Sequence, residues 1–416
     1  MDQKERDFFT LDDFDFNGKT VLLRLDLNSP IHPLTNEIMS DTRFRSHLPT
    51  IERLKNSKLV ILAHQSRPGK TDFTPLMNHA RRLERLLGRK VKYIDSLYGS
   101  SAISAIKQMY NGDILMLENT RFFSEDVVLD PEAKETVESS NLISNLSDIC
   151  DYFVNDAFPA IHRSQTSLTG FSRKMPNIAG LLIQKETEAL NIFLNGNRNK
   201  NLAILAGAKI EDSISVAESF LRKEKVNHII VGGVVANAFL WASGYKIGKK
   251  NEEFIIKNNK KYESFLKICS ELLKEYSDRI LMPVDFVLNP SNKRVEKGDK
   301  IPDNQILADI SFNSIAMFSE EIRKADSIFV NGPMGMYELE PYSLGTFEIL
   351  REVAASSAMK IAGGGHTISA IEALNIQNRI DHISTGGGAL ISYLSGESMP
   401  VLESLKESKR YFKKVD

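Results

Sequence analysis

The sequence predicts an α/β protein built from two doubly wound parallel-sheet domains of the Rossmann-like kind, joined by a helix that acts as a hinge. Three observations predict it. Short apolar runs alternate with longer amphipathic segments from end to end. The runs number roughly ten, more than one sheet of ordinary size holds. Near mid-chain, a helical pattern over residues 181–194 ends in the polar loop 195–200. Strand, helix, strand repeated this often means βαβ units and parallel sheets.

In the first half the runs are residues 21–27, 59–63, 91–94, 114–117 and 152–154. In the second half they are 202–206, 228–231, 280–281 with 286–288, 327–330, 360–362 and 382–384. They are too short for helices and nearly continuous in apolar residues, as strands buried on both faces must be. Helical patterns lie between them. Residues 49–55 carry Ile51 and Leu54, and residues 75–87 carry Leu76, Ala80, Leu83 and Leu87. For the latter, Thr74 is the expected N-cap, Pro75 stands at the first turn and Gly88 is the stop. Residues 212–223 and 367–374 repeat the apolar period, and a charged helix is expected over 401–412. The first domain is expected over residues 1–180, with the tail 400–416 packing back on it, and the second over 181–399, including the connecting helix.

Composition bounds the function. Of 416 residues, 42% are hydrophobic and 26% charged, as in ordinary globular proteins. Lys plus Arg is 53 against 54 for Asp plus Glu, a formal charge of -1. That balance argues against nucleic acid or an anionic membrane as the main partner. Cys150 and Cys269 offer neither a disulfide framework nor metal-ligand spacing, which suits a reducing cytoplasm. The charged N-terminus lacks a signal peptide's apolar core. The uncharged stretch 229–245 is interrupted by Gly232, Gly233 and Gly244 and falls short of the ~20 apolar residues of a spanning helix. A monomer is expected, with a homodimer as the alternative.

Open α/β sheets bind ligands beyond the carboxyl ends of their strands. In the first half those positions are polar and cationic. Strand 21–23 runs into Arg24, Asp26 and Asn28; strand 59–63 into His64 and Arg67; strand 114–117 into Arg121; strand 152–154 toward Arg163. Arg43 is expected in the loop before the first helix. Arg43, His64, Arg67, Arg121 and Arg163 read as five cations converging on a small polyanion, since the planar guanidinium grips phosphate or carboxylate with two donors.

In the second half the same positions are glycine: Gly207 before Lys209, Gly232-Gly233, Gly332 beside Asn331 and Pro333, Gly363-Gly364-Gly365 before His366 and Thr367, and Gly386-Gly387-Gly388. Glycine lets the backbone come close to a ligand, and helix N-termini favour phosphate. One glycine pair after a strand is weak evidence; five clusters point to a nucleotide. Neither a P-loop nor a dinucleotide fingerprint is present. An anion site in one half and a nucleotide site in the other imply phosphoryl transfer with water excluded by closure of two domains.

The segments VLLRLDLNSPI (residues 21–31), SDTRFRSHLPTI (40–51), LENTRF (117–122), VNDAFPAIHRSQTS (154–167), NGPMGMYE (331–338), LGT (344–346) and STGGGA (384–389) resemble the phosphoglycerate kinase family over nearly the whole chain. AGAKIEDS (206–213) and GGGHT (363–367) look like its archaeal branch. The resemblance implies reversible phosphoryl transfer between ATP and the carboxylate of 3-phosphoglycerate, giving ADP and 1,3-bisphosphoglycerate, with Mg²⁺ accompanying the nucleotide. It implies Asp26, Asn28, Arg43, His64, Arg67, Arg121 and Arg163 as the phosphoglycerate site. Arg43, Lys209, Gly365 and Gly388 would be the catalytic positions. Lys209, Gly232, Gly233, Asn331, Gly332, Pro333, Glu338, Gly363, Gly364, Gly365, His366 and Thr367 would hold the nucleotide, with Glu338 on the ribose.

Two departures from the family pattern bear on the metal. Ser213 stands where the family usually has a second lysine, and His366 where it usually has an aspartate. Mg²⁺ prefers oxygen ligands to imidazole, so His366 reads as a helix-capping or core residue, and Asp212, Asp309 or water remain open as ligands. The alternative function is a non-catalytic nucleotide-binding protein on the same scaffold.

Overall fold

The apolar runs of the first half become a parallel sheet. The computed structural model describes residues 6–130, 133–196 and 200–413. Residues 197–199 of the expected inter-domain loop and 414–416 of the expected tail lie outside them. The chain divides into two units, Met1–Thr187 with Ser398–Asp416, and Glu188–Glu397. The boundary falls within the helix Leu181–Asn195, which starts in one unit and ends in the other.

The first unit contains β1 (Phe9–Thr10), β2 (Thr20–Arg24), β3 (Lys58–Leu62), β4 (Val91–Tyr93), β5 (Ile114–Met116), β6 (Tyr152–Asn155) and β7 (Asn177–Ala179). They pair in the order β1-β7-β6-β2-β3-β5-β4, every pair parallel. The direction of winding reverses at β2, which lies between β3 and β6, and ligands of such sheets bind at that reversal. Leu22, Leu23, Val60, Ile61 and Val154 are fully buried, which is why these runs carry no polar alternation. Helix Pro400–Phe412 returns to this unit. The Asn177 amide donates to Ser408 Oγ, and Ser404 Oγ donates to the Thr169 carbonyl.

The second unit holds β8 (Asn201–Leu205), β9 (His228–Val231), β10 (Ile280–Leu281), β11 (Asp285–Asn289), β12 (Arg294–Glu296), β13 (Ile306–Ile310), β14 (Ser327–Asn331), β15 (Met359–Gly363) and β16 (His382–Ile383). Six form a parallel sheet in the order β10-β9-β8-β14-β15-β16, with the reversal between β8 and β14. The other three differ from expectation. Residues 286–288 do not extend the parallel sheet; β11 pairs antiparallel with β12 and β13 in a small sheet of its own. Pro283, which has no N–H to donate, separates β10 from β11. Asn292, in a left-handed conformation at φ 56°, helps turn the chain back into β12.

Two helix starts also differ. The first helix is Thr42–Arg53, so Arg43 lies in its first turn rather than in a preceding loop, and Pro49 is internal. Pro49 removes one intrahelical bond. Burial of Phe44, His47, Thr50 and Ile51 on one face keeps the helix intact. The second helix is Met77–Leu87, and Thr74 does not cap it. The Thr74 carbonyl is instead taken by Asn119 Nδ2, while the Leu76 amide donates to Glu118 Oε1. Gly88 ends that helix in the left-handed conformation expected of it.

Candidate active site

The last residue of β2, Arg24, is fully buried. An arginine closing an otherwise apolar strand cannot reach water, so it spends its donors within the protein. Nε donates to Ser167 Oγ (3.2 Å), Nη1 to the Leu25 carbonyl (2.5 Å) and Nη2 to His64 Nδ1 (3.2 Å). Two residues on, Asp26 pairs with Arg43 (Oδ2 to Nη1, 2.5 Å) and accepts the Asn28 amide on Oδ1 (3.0 Å). Burial alone would push the Asp26 carboxyl up; Arg43, the Asn28 amide and Arg24 together hold it well below the usual carboxylate range.

His64 is not one of the cations. Its burial, reinforced by Arg24, Arg121 and Arg163, drives its pKa well below the ordinary histidine value, against the opposite pull of Asp26. The ring is therefore neutral at pH 7. Its Nε2 has no hydrogen-bond partner among the described residues. Arg121 is pulled down to about 10, first by burial and then by Arg163 and Arg24, the mark of cations crowded together.

The turn after His64 completes this group. Ser66 holds a left-handed conformation at φ 56°. Its amide donates to Asn28 Oδ1 (2.8 Å), its hydroxyl to Asp72 Oδ1 (2.6 Å), and its carbonyl accepts from Arg121 Nη1. The structure thus brings together Asp26, Asn28, Arg43, His64, Arg121 and Arg163. Arg67 is exposed and, among the described residues, its side chain makes no ion pair.

In the second unit the glycines bring neighbouring loops into backbone contact. Gly332, at φ 93°, lies against the Ala206 carbonyl, where any Cβ would collide. Its amide donates to Thr367 Oγ1 at 2.6 Å, tying the loop after β14 to the helix Gly365–Ala373. Pro333 packs beside Gly207, and Asn331 Oδ1 fills the space over Gly364. Gly232 and Gly233 start the helix Gly233–Ala242 against Gly207 and Met334. Open space faces Gly365, Gly387 and Gly388, at the starts of helices Gly365–Ala373 and Gly388–Ser395. Gly363 closes β15.

Lys209 is 85% exposed and stands 3.9 Å from Asp212. His366 is neither a cap nor a core residue. It is exposed, and its Nδ1 lies 3.2 Å from Glu338 Oε1. Ser213 is buried, and among the described residues its hydroxyl has no hydrogen-bond partner. Asp309 is buried too. Its oxygens accept the amides of Ile310 (2.9 Å) and Gly345 (2.8 Å), and burial pushes its pKa up to about 7. Those contacts occupy Asp309, which does not fit a metal ligand. Among the described residues no three His, Cys, Asp or Glu side chains are grouped as a metal would need.

Sequence reasoning placed Arg24 at the ligand-binding end of its strand but left it out of the anion site. It also passed over Gln65, whose buried amide donates to the Ser29 carbonyl and whose Oε1 accepts the Ser29 amide. The signal for Arg24 was present, a charged residue ending a strand that is otherwise apolar. None of the described helices is long and apolar enough to cross a membrane.

A family model described as phosphoglycerate kinase matches residues 11–397. The phosphoglycerate kinases of Thermoplasma volcanium and Thermoplasma acidophilum are 57% and 56% identical to the chain, each over 98% of it and 99% of their own length. Among solved structures, phosphoglycerate kinase from Pyrococcus horikoshii OT3 superposes with a TM-score of 0.88 at 40% identity, covering 97% of this chain and all of that one.

Proposed function

The chain belongs to the phosphoglycerate kinase family, and from that premise we propose how its own residues carry the reaction. The activity is that of a kinase which transfers phosphate to a carboxylate, within glycolysis and its reversal. A carboxylate oxygen of 3-phosphoglycerate attacks the γ-phosphorus of ATP. The bond from that phosphorus to the β,γ-bridging oxygen breaks, and ADP leaves with the electron pair. No proton has to move, so catalysis rests on alignment and on cations aimed at the migrating group.

The first unit holds 3-phosphoglycerate in this reading. Arg121 and Arg163 face its phosphate, and the unpartnered Nε2–H of neutral His64 donates to the same group. Asn28, and Asp26 beside it, receive the hydroxyl side, and Arg67 reaches in from solvent. Arg43 spends Nη1 on Asp26. Its side chain is 29% exposed, leaving donors for the phosphoryl in flight. The second unit holds the nucleotide: Lys209 on the phosphates, Glu338 on the ribose, and the loops of Gly232, Gly233, Asn331, Gly332, Pro333, Gly363, Gly364 and Thr367 around it. The amides at Gly365 and Gly388 open helices and favour phosphate charge. His366 steadies Glu338.

Mg²⁺ bound to the nucleotide would neutralise phosphate charge, and Asp212, beside Lys209, is the carboxylate that would face it. Transfer also requires the carboxylate and the γ-phosphate to meet, and the helix Leu181–Asn195 is the connection that has to permit it. A monomeric cytoplasmic enzyme is the state proposed.

The observation carrying this reading is the unpartnered, buried Nε2 of His64 among Arg24, Arg121 and Arg163. Calorimetric titration of Arg163→Ala with 3-phosphoglycerate and with ADP tests it. Loss of the first with the second unchanged is expected; equal loss of both contradicts the assignment of ligands to units. Intact ADP binding in a parent protein without turnover would favour a non-catalytic nucleotide binder.

A further inference from the structure

His47 lies one turn after Arg43 on helix Thr42–Arg53 and is fully buried. Its Nδ1 is 2.8 Å from Asp156 Oδ2. Its Nε2 is 3.3 Å from the backbone nitrogen of Asp26 and 3.2 Å from the Asp26 carbonyl oxygen. An ionised carboxylate only accepts, so Nδ1 carries a proton and donates to Asp156. Nε2 faces both backbone groups of Asp26, accepting its N–H when the ring carries one proton and donating to its carbonyl when it carries two.

Asp156 is fully buried as well, just past the end of β6. Its second oxygen accepts the Leu182 amide (2.8 Å) in the first turn of the helix Leu181–Asn195. The preceding amide, Leu181, donates to Thr50 Oγ1 (3.0 Å) on the Arg43 helix. Gly180 makes the approach possible, because a Cβ there would strike the Asp156 carboxylate. A buried pair of this kind costs desolvation that two apolar residues would avoid. What it provides is fixed geometry. Helix Thr42–Arg53 grips Asp26 twice, by the side chain through Arg43 and by the backbone through His47.

We propose that His47 is a positioning residue for phosphoryl transfer. Clamped by Asp156, it fixes the Asp26 backbone against helix Thr42–Arg53, sets where the Arg43 guanidinium points, and ties that pair to the first turn of the connecting helix. The proposal rests on the reading that Arg43 meets the phosphoryl in flight.

The test is steady-state kinetics in both substrates on the full chain, well below each variant's melting temperature. His47→Ala should lower kcat about 10- to 100-fold, the order expected when a catalytic group shifts by about 1 Å. The KM for ATP should stay within about twofold, since the loss falls on the transition state. His47→Gln, whose amide reaches as far as Nε2, should recover kcat to within about fivefold of the parent. Asp156→Asn presents an N–H to Nδ1, takes the Asp26 N–H away from Nε2 and leaves only the 3.2 Å contact to the Asp26 carbonyl, and should lower kcat in the same direction. A kcat within about twofold of the parent in His47→Ala and in Asp156→Asn, whatever the change in Tm, would overturn the proposal. If His47→Ala does not fold, His47→Gln and Asp156→Asn carry the same comparison. Arg43→Ala is measured alongside. Full turnover there removes the reading of Arg43, whereas an inactive Arg43→Ala beside a fully active His47→Ala removes only the role of His47.

Discussion

The guanidinium of Arg24 donates from Nη2 to Nδ1 of His64 across 3.2 Å. A guanidinium has no lone pair to offer, so Nδ1 must be unprotonated and the single ring proton sits on Nε2. His64 therefore meets substrate as a neutral donor. A histidine held below its ordinary pKa favours the folded state once deprotonated, and that contribution shrinks as pH falls below about 6.5.

The first prediction follows from that tautomer. His64→Gln replaces one neutral N–H donor by another, so the ratio of its phosphoglycerate KM to the parent's should stay flat from pH 5.5 to 8, a range chosen to bracket about 6.5. KM profiles of both proteins measure it. A ratio that climbs as pH falls would mean that His64 binds as a cation.

Arg43→Ala should reduce kcat by about a hundredfold or more while the KM for 3-phosphoglycerate moves far less, because its contact strengthens as charge builds on the migrating group. Initial-rate kinetics at saturating ATP separate the two parameters. A change confined to KM would make Arg43 a ground-state binding residue only.

Ser66 opposes two effects. Its left-handed backbone costs about 1–2 kcal/mol relative to glycine, and its bond to Asp72 returns about 1 kcal/mol. Ser66→Gly should leave stability within about 1 kcal/mol of the parent, and Ser66→Ala, which keeps the backbone cost and loses the bond, should be the less stable of the two variants. Urea denaturation ranks them; Ser66→Ala at or above Ser66→Gly would refute the assignment of strain.

Asp309 predicts a pH trend of opposite sign to that of His64. Its pKa is raised from 3.8 to about 7, so the protonated form favours the fold. Its contribution is whole below pH 3.8 and is lost as pH rises through about 7. Thermal melts from pH 4 to 8 should show this decline in the parent and a flatter profile in Asp309→Asn. Parallel profiles would contradict it.

Much of the fold is legible because buried parallel strands leave a plain mark: β9 is bounded as its apolar run is, and the Leu181 helix runs one residue beyond its pattern. The errors have local physical causes. Pro49 mimicked a helix start, though the buried face of Phe44, His47 and Ile51 had already begun the helix and carried Arg43 into its first turn. Residues 286–288 were as apolar as any parallel strand, and only their partners reveal the antiparallel sheet. At the site, residue type marked Arg43, Arg121 and Arg163 as candidates. Protonation was beyond reach, because the neutrality of His64 depends on burial and on Arg24, neither visible in a linear string. For the same reason Asp309 read as an available carboxylate until Gly345 and Ile310 were found on its oxygens.

Helix Pro400–Phe412 has a consequence for synthesis. It supplies Ser408 to the Asn177 amide on β7 and Glu407 to Lys134 and Arg173, and Phe412 packs against the core around β2 and β3. These partners lie in the part of the chain that leaves the ribosome first, yet they wait for the part that leaves late. Translation therefore makes the whole of Glu188–Glu397 before it makes the helix that closes its neighbour. On a nascent chain, the arginine-bearing half cannot complete these contacts until residues 400–412 have been made.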